Sequence, residues 1–159
     1  MNFIEKFFPF LTKLPKKSGQ KKVFRKKYKK LDILTIGSAV RDITLYTSDG
    51  SIFVHMENGR EQEVFAFPYG GKISVDDGFF TLGGGAANAA VSMSKLGLRV
   101  GAYTRLGDDF IGEEIMHDLN KHGVDVSGME RTPGEHSPVS FIIASKEKKD
   151  HVVFAYRGS

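Results

Sequence analysis

Cysteine is missing from the 159 residues, so neither a disulfide framework nor a thiolate metal site can be built, and nothing points to an oxidising compartment. Histidine is sparse. His55, His117, His122, His136 and His151 are scattered, and the one close pair, 117 and 122, misses the i, i+4 spacing that puts two ligands on one helix face. No apolar run approaches the ~20 residues of a membrane span, and Pro9 with the neighbouring lysines breaks up the only segment that could have formed a signal-peptide core. These absences give the expectation of a cytoplasmic protein that holds no metal of its own.

What is present is divided by charge. The net charge of +4 hides a basic segment, residues 1–30, with eleven Lys or Arg against the single Glu5, followed by residues 31–159 with 12 basic and 18 acidic side chains. The basicity therefore belongs to the first thirty residues, and the remainder is mildly acidic. Blocks of like charge commonly stay solvated, so residues 1–30 read as a flexible tail. Phe3, Phe7, Phe8 and Phe10 beside the polybasic stretch give the alternative of a module that lies on an anionic membrane surface or on nucleic acid phosphates. The rest has the length of one ordinary domain.

The densest signal is Phe79-Phe80-Thr81-Leu82-Gly83-Gly84-Gly85-Ala86-Ala87-Asn88-Ala89-Ala90-Val91, which reads as strand, glycine bend, helix, with Gly97 at the helix end. Three glycines allow close backbone approach and expose N–H groups at the positive end of a helix dipole, an arrangement suited to phosphates, carboxylates or sugar oxygens. Asn88 breaks a dinucleotide fingerprint, and there is no Gly-Lys-Ser/Thr ending of a phosphate loop. On the residues alone two readings stand. Either Asn88 offers its amide to a ligand at the bend, or the glycines merely let the helix pack closely and Asn88 caps it.

Around this bend the chain alternates in type. Leu31–Ile36 is an apolar run ending at Gly37, expected as the buried first strand of a parallel sheet, and Asp42 follows its carboxyl end, where open α/β sheets bind ligands. A helix or turn cap is the other reading of Asp42. Short alternating stretches, Ile43–Tyr46, Ser51–His55 and Glu63–Phe67, are separated by turn residues and predict half-exposed strands. Val100–Thr104 predicts a further parallel strand. Asp108 or Asp109 is expected to cap a helix over 110–122 whose apolar stripe is Phe110, Ile111, Ile115 and Leu119, with Gly123 ending it. Ser140–Ser145 and His151–Tyr156 predict an antiparallel hairpin across the polar residues 146–150.

Three segments stand in a telling order: Ile36-Gly37-Ser38-Ala39-Val40-Arg41-Asp42, then Gly83 to Val91 with Leu96-Gly97, then Arg105-Leu106-Gly107-Asp108-Asp109-Phe110-Ile111-Gly112. Together they resemble the ribokinase-like, or PfkB, carbohydrate kinases over roughly residues 32–159. The resemblance implies an α/β, three-layer αβα fold with a mainly parallel sheet and a small β lid. The lid strands would fall within about 43–80 and 138–157. It implies an ATP- and Mg2+-dependent phosphotransferase acting on a hydroxyl of a sugar or nucleoside, with Asp42, Gly84, Gly85 and Asn88 as acceptor-binding residues, the glycines as lid hinge, and a homodimer through the lid. In the family the catalytic base is an Asp in a Gly-Ala-Gly-Asp segment and an Asn-x-x-Glu segment supports the metal. Neither stands between the glycine bend and Ser159, so the resemblance leads to the expectation of a base downstream of Ser159. The chain is accordingly expected to be the substrate-binding, N-terminal half of such a kinase, without a catalytic residue of its own and inactive alone. Gly85 and Ala86 replace the Lys and Gly of ribokinase itself, so ribose is not to be assumed as the acceptor.

Overall fold

The computed structural model describes residues 31–148 and 150–158, so the expectations for the basic segment 1–30 lie outside the described residues. Ser159 lies outside them too, and the expectation of a base downstream of Ser159 is not one that this fold tests. The order of elements is β1 (Ile33–Ile36), β2 (Val40–Thr47), β3 (Ser51–Glu57), β4 (Arg60–Ala66), β5 (Asp77–Gly83), α1 (Gly85–Lys95), β6 (Val100–Tyr103), β7 (Arg105–Gly107), α2 (Phe110–Lys121), β8 (Glu130–Thr132), β9 (Val139–Ser145) and β10 (His151–Tyr156). Both helices, the parallel strand and the C-terminal hairpin fall where the sequence pattern puts them. Among the described residues no helix is long and apolar enough to cross a membrane.

β1 and β6 pair in parallel, Ile33 opposite Val100 through Ile36 opposite Tyr103. The loop that follows α2 adds a parallel bridge between Gly101 and Asp125. Small and branched residues make the core: Ala39, Ala87, Ala90, Val100, Ala102, Leu106, Ile115, Leu119 and Val124 are buried together. The alanines of α1 let that helix lie close on the sheet. Ile115 and Leu119 seat α2, with Ile111 packed partly buried against the same cluster. Phe110 does not join this stripe and is 69% exposed, because it lies about 100° round the helix from Ile111 and about 140–180° from Ile115 and Leu119. β1 also departs from its expected burial. Thr35 is buried whereas Leu34 and Ile36 are 47% and 61% exposed, since α1 covers one face of the pair and no described residue covers the other as a doubly covered parallel strand would require.

A second sheet has the order β10-β9-β2-β5, mixed in direction. β2 is its axis, antiparallel to β5 with Asp42 opposite Thr81, and parallel to β9 with Asp42 opposite Ser140. β3 and β4 form a separate hairpin whose turn, Asn58-Gly59, has positive φ at both residues, the signature of a two-residue turn that matches strand twist.

β2 is clamped to the core side by a charge. Arg41 is 4% exposed, and its guanidinium meets Asp118 at 2.9 Å and Glu114 at 3.7 Å. These acids lie one turn apart on α2, so one arginine bridges the strand to the helix. Removing a partner from a buried pair leaves an uncompensated charge, which costs several kcal/mol when burial is complete. Since side chains alternate along a strand, fixing Arg41 toward α2 turns Asp42 to the opposite face.

Candidate acceptor site

The site is built where β1, β2, β5 and α1 meet. The sequence reading expects bare amides at the glycine bend, and the structure corrects this. Ser38, just after β1, takes three of them: its Oγ accepts from the Gly85 N–H at 3.1 Å, and its carbonyl accepts from Ala86 and Ala87 at 3.1 and 3.3 Å. The Asn88 N–H already donates to Gly84 O. The first turn of α1 thus satisfies its orphan donors within the chain, and its amides are not an open anion cradle.

The glycines serve close approach instead. Gly84 is the N-cap residue with φ 92° and ψ 141°, a conformation essentially restricted to glycine. A Cβ there would lie 2.5 Å from Ser38 O and 2.8 Å from the Ala39 Cα. At Gly83 a Cβ would overlap the Asp42 carboxylate, with Cγ at 2.6 Å and Oδ1 at 3.0 Å. The Asp42 carboxylate therefore rests directly over the Gly83 Cα. Gly85 differs from both, because a Cβ there would meet nothing within 4 Å, and its position faces open space.

Asp42 lies within β2, paired on both sides, so it is neither a helix nor a turn cap. It is half-buried, and no hydrogen bond joins its carboxylate to any other described residue. Asn88 is exposed in the first turn of α1, and because the N-cap is Gly84, which has no side chain to cap with, the capping reading of Asn88 falls away. Asp42, Gly83, Gly84 and Gly85 are thus brought to one bend, with Asn88 on the first turn of the helix that leaves it. The importance of Gly83 and Ser38 is not legible in the sequence. The run of glycines signals close approach but not which backbone or side chain approaches, and no pattern marks a lone serine whose carbonyl and hydroxyl cap a helix 47 residues further on.

A second polar cluster is structural. Asp109 caps α2, accepting from Gly112 N at 2.8 Å, and also accepts from Ser137 N at 2.9 Å and Ser137 Oγ at 2.6 Å. Partial burial pushes its carboxyl up, but the hydrogen bonds from Ser137 and Gly112, with His136 close by, outweigh that and hold it below the usual carboxylate range. Ser137 is 1% exposed and its hydroxyl is held by Asp109, so the trio ties the approach to β9 onto α2 and offers no accessible nucleophile. Arg131 reinforces the corner, meeting Asp108 at 2.8 Å and Glu113 at 3.2 Å.

Among the described residues no group of three or more His, Asp or Glu could hold a metal ion.

Comparison with known proteins agrees with the architecture. The pfkB family carbohydrate kinase model matches residues 30–159. A 2-dehydro-3-deoxygluconokinase of Bacillus subtilis is 36% identical over 94 residues, 58% of this chain and 29% of that protein. A deoxyribokinase of Salmonella typhi is 27% identical over 123 residues, 77% of this chain and 35% of its own length. The ribokinase of Arabidopsis thaliana, solved in complex with ribose and ATP, superposes with a TM-score of 0.63 at 21% identity over 80% of this chain and 36% of that one. The chain spans about a third of the length of the relatives that it matches.

Proposed function

The chain belongs to the pfkB family of carbohydrate kinases, and on that premise we propose that residues 31–159 hold the acceptor of an ATP-dependent phosphoryl transfer to a hydroxyl of a sugar or nucleoside. The observation that carries this reading is the Asp42 carboxylate, half-buried against Gly83 at the mouth of the bend and engaged by no other described residue. A carboxylate can accept from two adjacent hydroxyls at once, and each charged hydrogen bond is worth roughly 1.5–3 kcal/mol. Asn88 adds a neutral donor and acceptor from the first turn of α1, and Gly85 leaves room for the ligand to approach the backbone. Gly84, at the joint between β5 and α1, serves as the hinge of a lid made of the strands within about 43–80 and 138–157.

Phosphoryl transfer depends mainly on holding the acceptor hydroxyl in line with the donor and on stabilising charge in the transferred group. The residues present supply the first of these. A general base and an anion hole of the Gly-Ala-Gly-Asp kind are not found in the sequence up to Ser159, so this polypeptide on its own binds an acceptor without phosphorylating it. ATP and Mg2+ belong to the complete reaction, which the reading places in the cytoplasm.

The partner of the lid is a second copy of the chain. Phe154, Phe141, Ile43 and Phe80 stand in register across the four strands, and the three phenylalanines are 61%, 44% and 70% exposed. A row of that kind favours burial against another apolar face. Sedimentation of Phe141→Glu as a smaller species than the parent chain would support this pairing, and unchanged sedimentation would count against it.

The acceptor reading is tested by giving the purified polypeptide a panel of pentoses, hexoses and nucleosides with Mg-ATP. Saturable binding of at least one of them without turnover above background is expected. Robust turnover that survives removal of host kinases would overturn the division of labour, and the absence of any binding would overturn the acceptor site.

A further inference from the structure

The face that carries Asp42 can be followed across the sheet by register. Ala155, Ser140, Asp42 and Thr81 form one row over β10, β9, β2 and β5, and residues directly opposite in paired strands share a face. Ser140 is half-buried, and its hydroxyl is hydrogen-bonded to no other described residue. The neighbours on this face in the next row outward are Val153, Ile142, Thr44 and Phe79, followed by His151, Ala144, Tyr46 and Asp77. None of these three rows holds a Lys or Arg; Arg157 lies beyond them, two residues past Ala155 and just after β10.

We infer that Ser140 is a specificity-determining residue that reads an acceptor hydroxyl beside Asp42, and that the acceptor is an uncharged polyol at the end lodged here. This rests on the reading of Asp42 as acceptor-binding and deepens it. A hydroxyl that is half-buried next to an unengaged carboxylate can both donate and accept, so Asp42 and Ser140 together match two neighbouring hydroxyls of a sugar. Leaving Ser140 unpaired under a bound ligand would cost its desolvation, so an acceptor lacking the matching hydroxyl is discriminated against. A sugar carrying a carboxylate would set a second negative charge beside Asp42, and none of these three rows carries a cation to offset it. The apolar side chains of the next row pack the carbon side of a ring.

The test is calorimetric titration of the full chain with D-ribose, D-fructose, 2-deoxy-D-ribose and 2-dehydro-3-deoxy-D-gluconate. Three variants are titrated alongside: Ser140→Ala, Ser140→Thr and Asp42→Ala, each checked for folding by circular dichroism. A neutral sugar is expected to bind best. Its affinity should fall about five- to tenfold in Ser140→Ala, the loss of one neutral hydrogen bond, and return to within about twofold in Ser140→Thr, which keeps the hydroxyl. If Ser140→Ala stays within twofold while Asp42→Ala loses binding, the role given to Ser140 is wrong and the acceptor site stands. The sugar acid binding best would overturn the charge argument. If no sugar binds at millimolar concentration, the acceptor reading falls and this inference with it.

Discussion

Replacing Gly83 by alanine separates the fold from the site. Gly83 has no positive φ, so the backbone accepts an L residue, and Gly→Ala at such a place stabilises by about 0.4–1 kcal/mol through the unfolded chain. The added Cβ would, however, stand 2.6 Å from the Asp42 Cγ, against about 3.5 Å for a comfortable carbon contact. The carboxylate must therefore swing away by about 1 Å, at an off-rotamer cost of roughly 0.5–1.5 kcal/mol. The two effects nearly cancel in stability, and the melting temperature is expected to stay within about 5 °C of the parent. Acceptor affinity has no such compensation. Losing one or two charged hydrogen bonds weakens binding by about ten- to a hundredfold, as in Asp42→Ala. Titration calorimetry with the best-binding sugar on the two single variants and the double variant reads this directly. The double variant should be no worse than Asp42→Ala, because both substitutions remove the same interaction. Parent-like affinity in Gly83→Ala, with Asp42→Ala deficient, would refute the placement of the carboxylate over the Gly83 Cα.

Other outcomes follow from the same geometry. Gly84→Ala meets backbone atoms at 2.5 and 2.8 Å in a glycine-only conformation and should destabilise by at least about 1–3 kcal/mol, measured by urea titration; a neutral result would mean that the bend is not held as described. Asn88→Ala should weaken the acceptor in the same direction as Asp42→Ala but less, by about tenfold at most, since its bonds are neutral. Asp109→Asn keeps a competent cap for α2 but replaces one carboxylate oxygen by an amide donor, so it should cost about 1–3 kcal/mol at neutral pH through the Ser137 group left without its acceptor. Because the folded pKa of Asp109 is lowered, its contribution is present above the unfolded value near 3.8 and is lost as pH falls through the folded one. The acid limb of a stability-against-pH curve should therefore be shallower in Asp109→Asn, and an unchanged limb would contradict the assignment.

How much is legible in the sequence depends on the range of the interaction. Periodicity and caps place α1, α2 and the β9–β10 hairpin, because Ile115 and Leu119, Asp109, Gly97 and Gly123 signal through neighbours a few residues away. Asp42 is legible as a carboxylate beyond the first strand, but not as a member of β2 resting on Gly83, which lies 41 residues away and reaches it only through strand pairing. The amides of α1 mislead for the same reason. A helix N-terminus announces its donors locally, while the acceptor that satisfies them, Ser38, comes from another element. Phe110 and Ile36 read as interior residues because they are apolar, and lie outside because burial is decided by what covers a face.

The claim at the centre of this account is that Asp42, Asn88 and the glycine bend hold a sugar. Amide chemical shifts of the isotopically labelled chain during titration with the best-binding sugar test it most directly. Shifts should concentrate at Asp42, Gly83 to Asn88 and Ser140, saturate with one dissociation constant, and vanish in Asp42→Ala. Shifts that cluster elsewhere, or that persist unchanged in a folded Asp42→Ala, would contradict it.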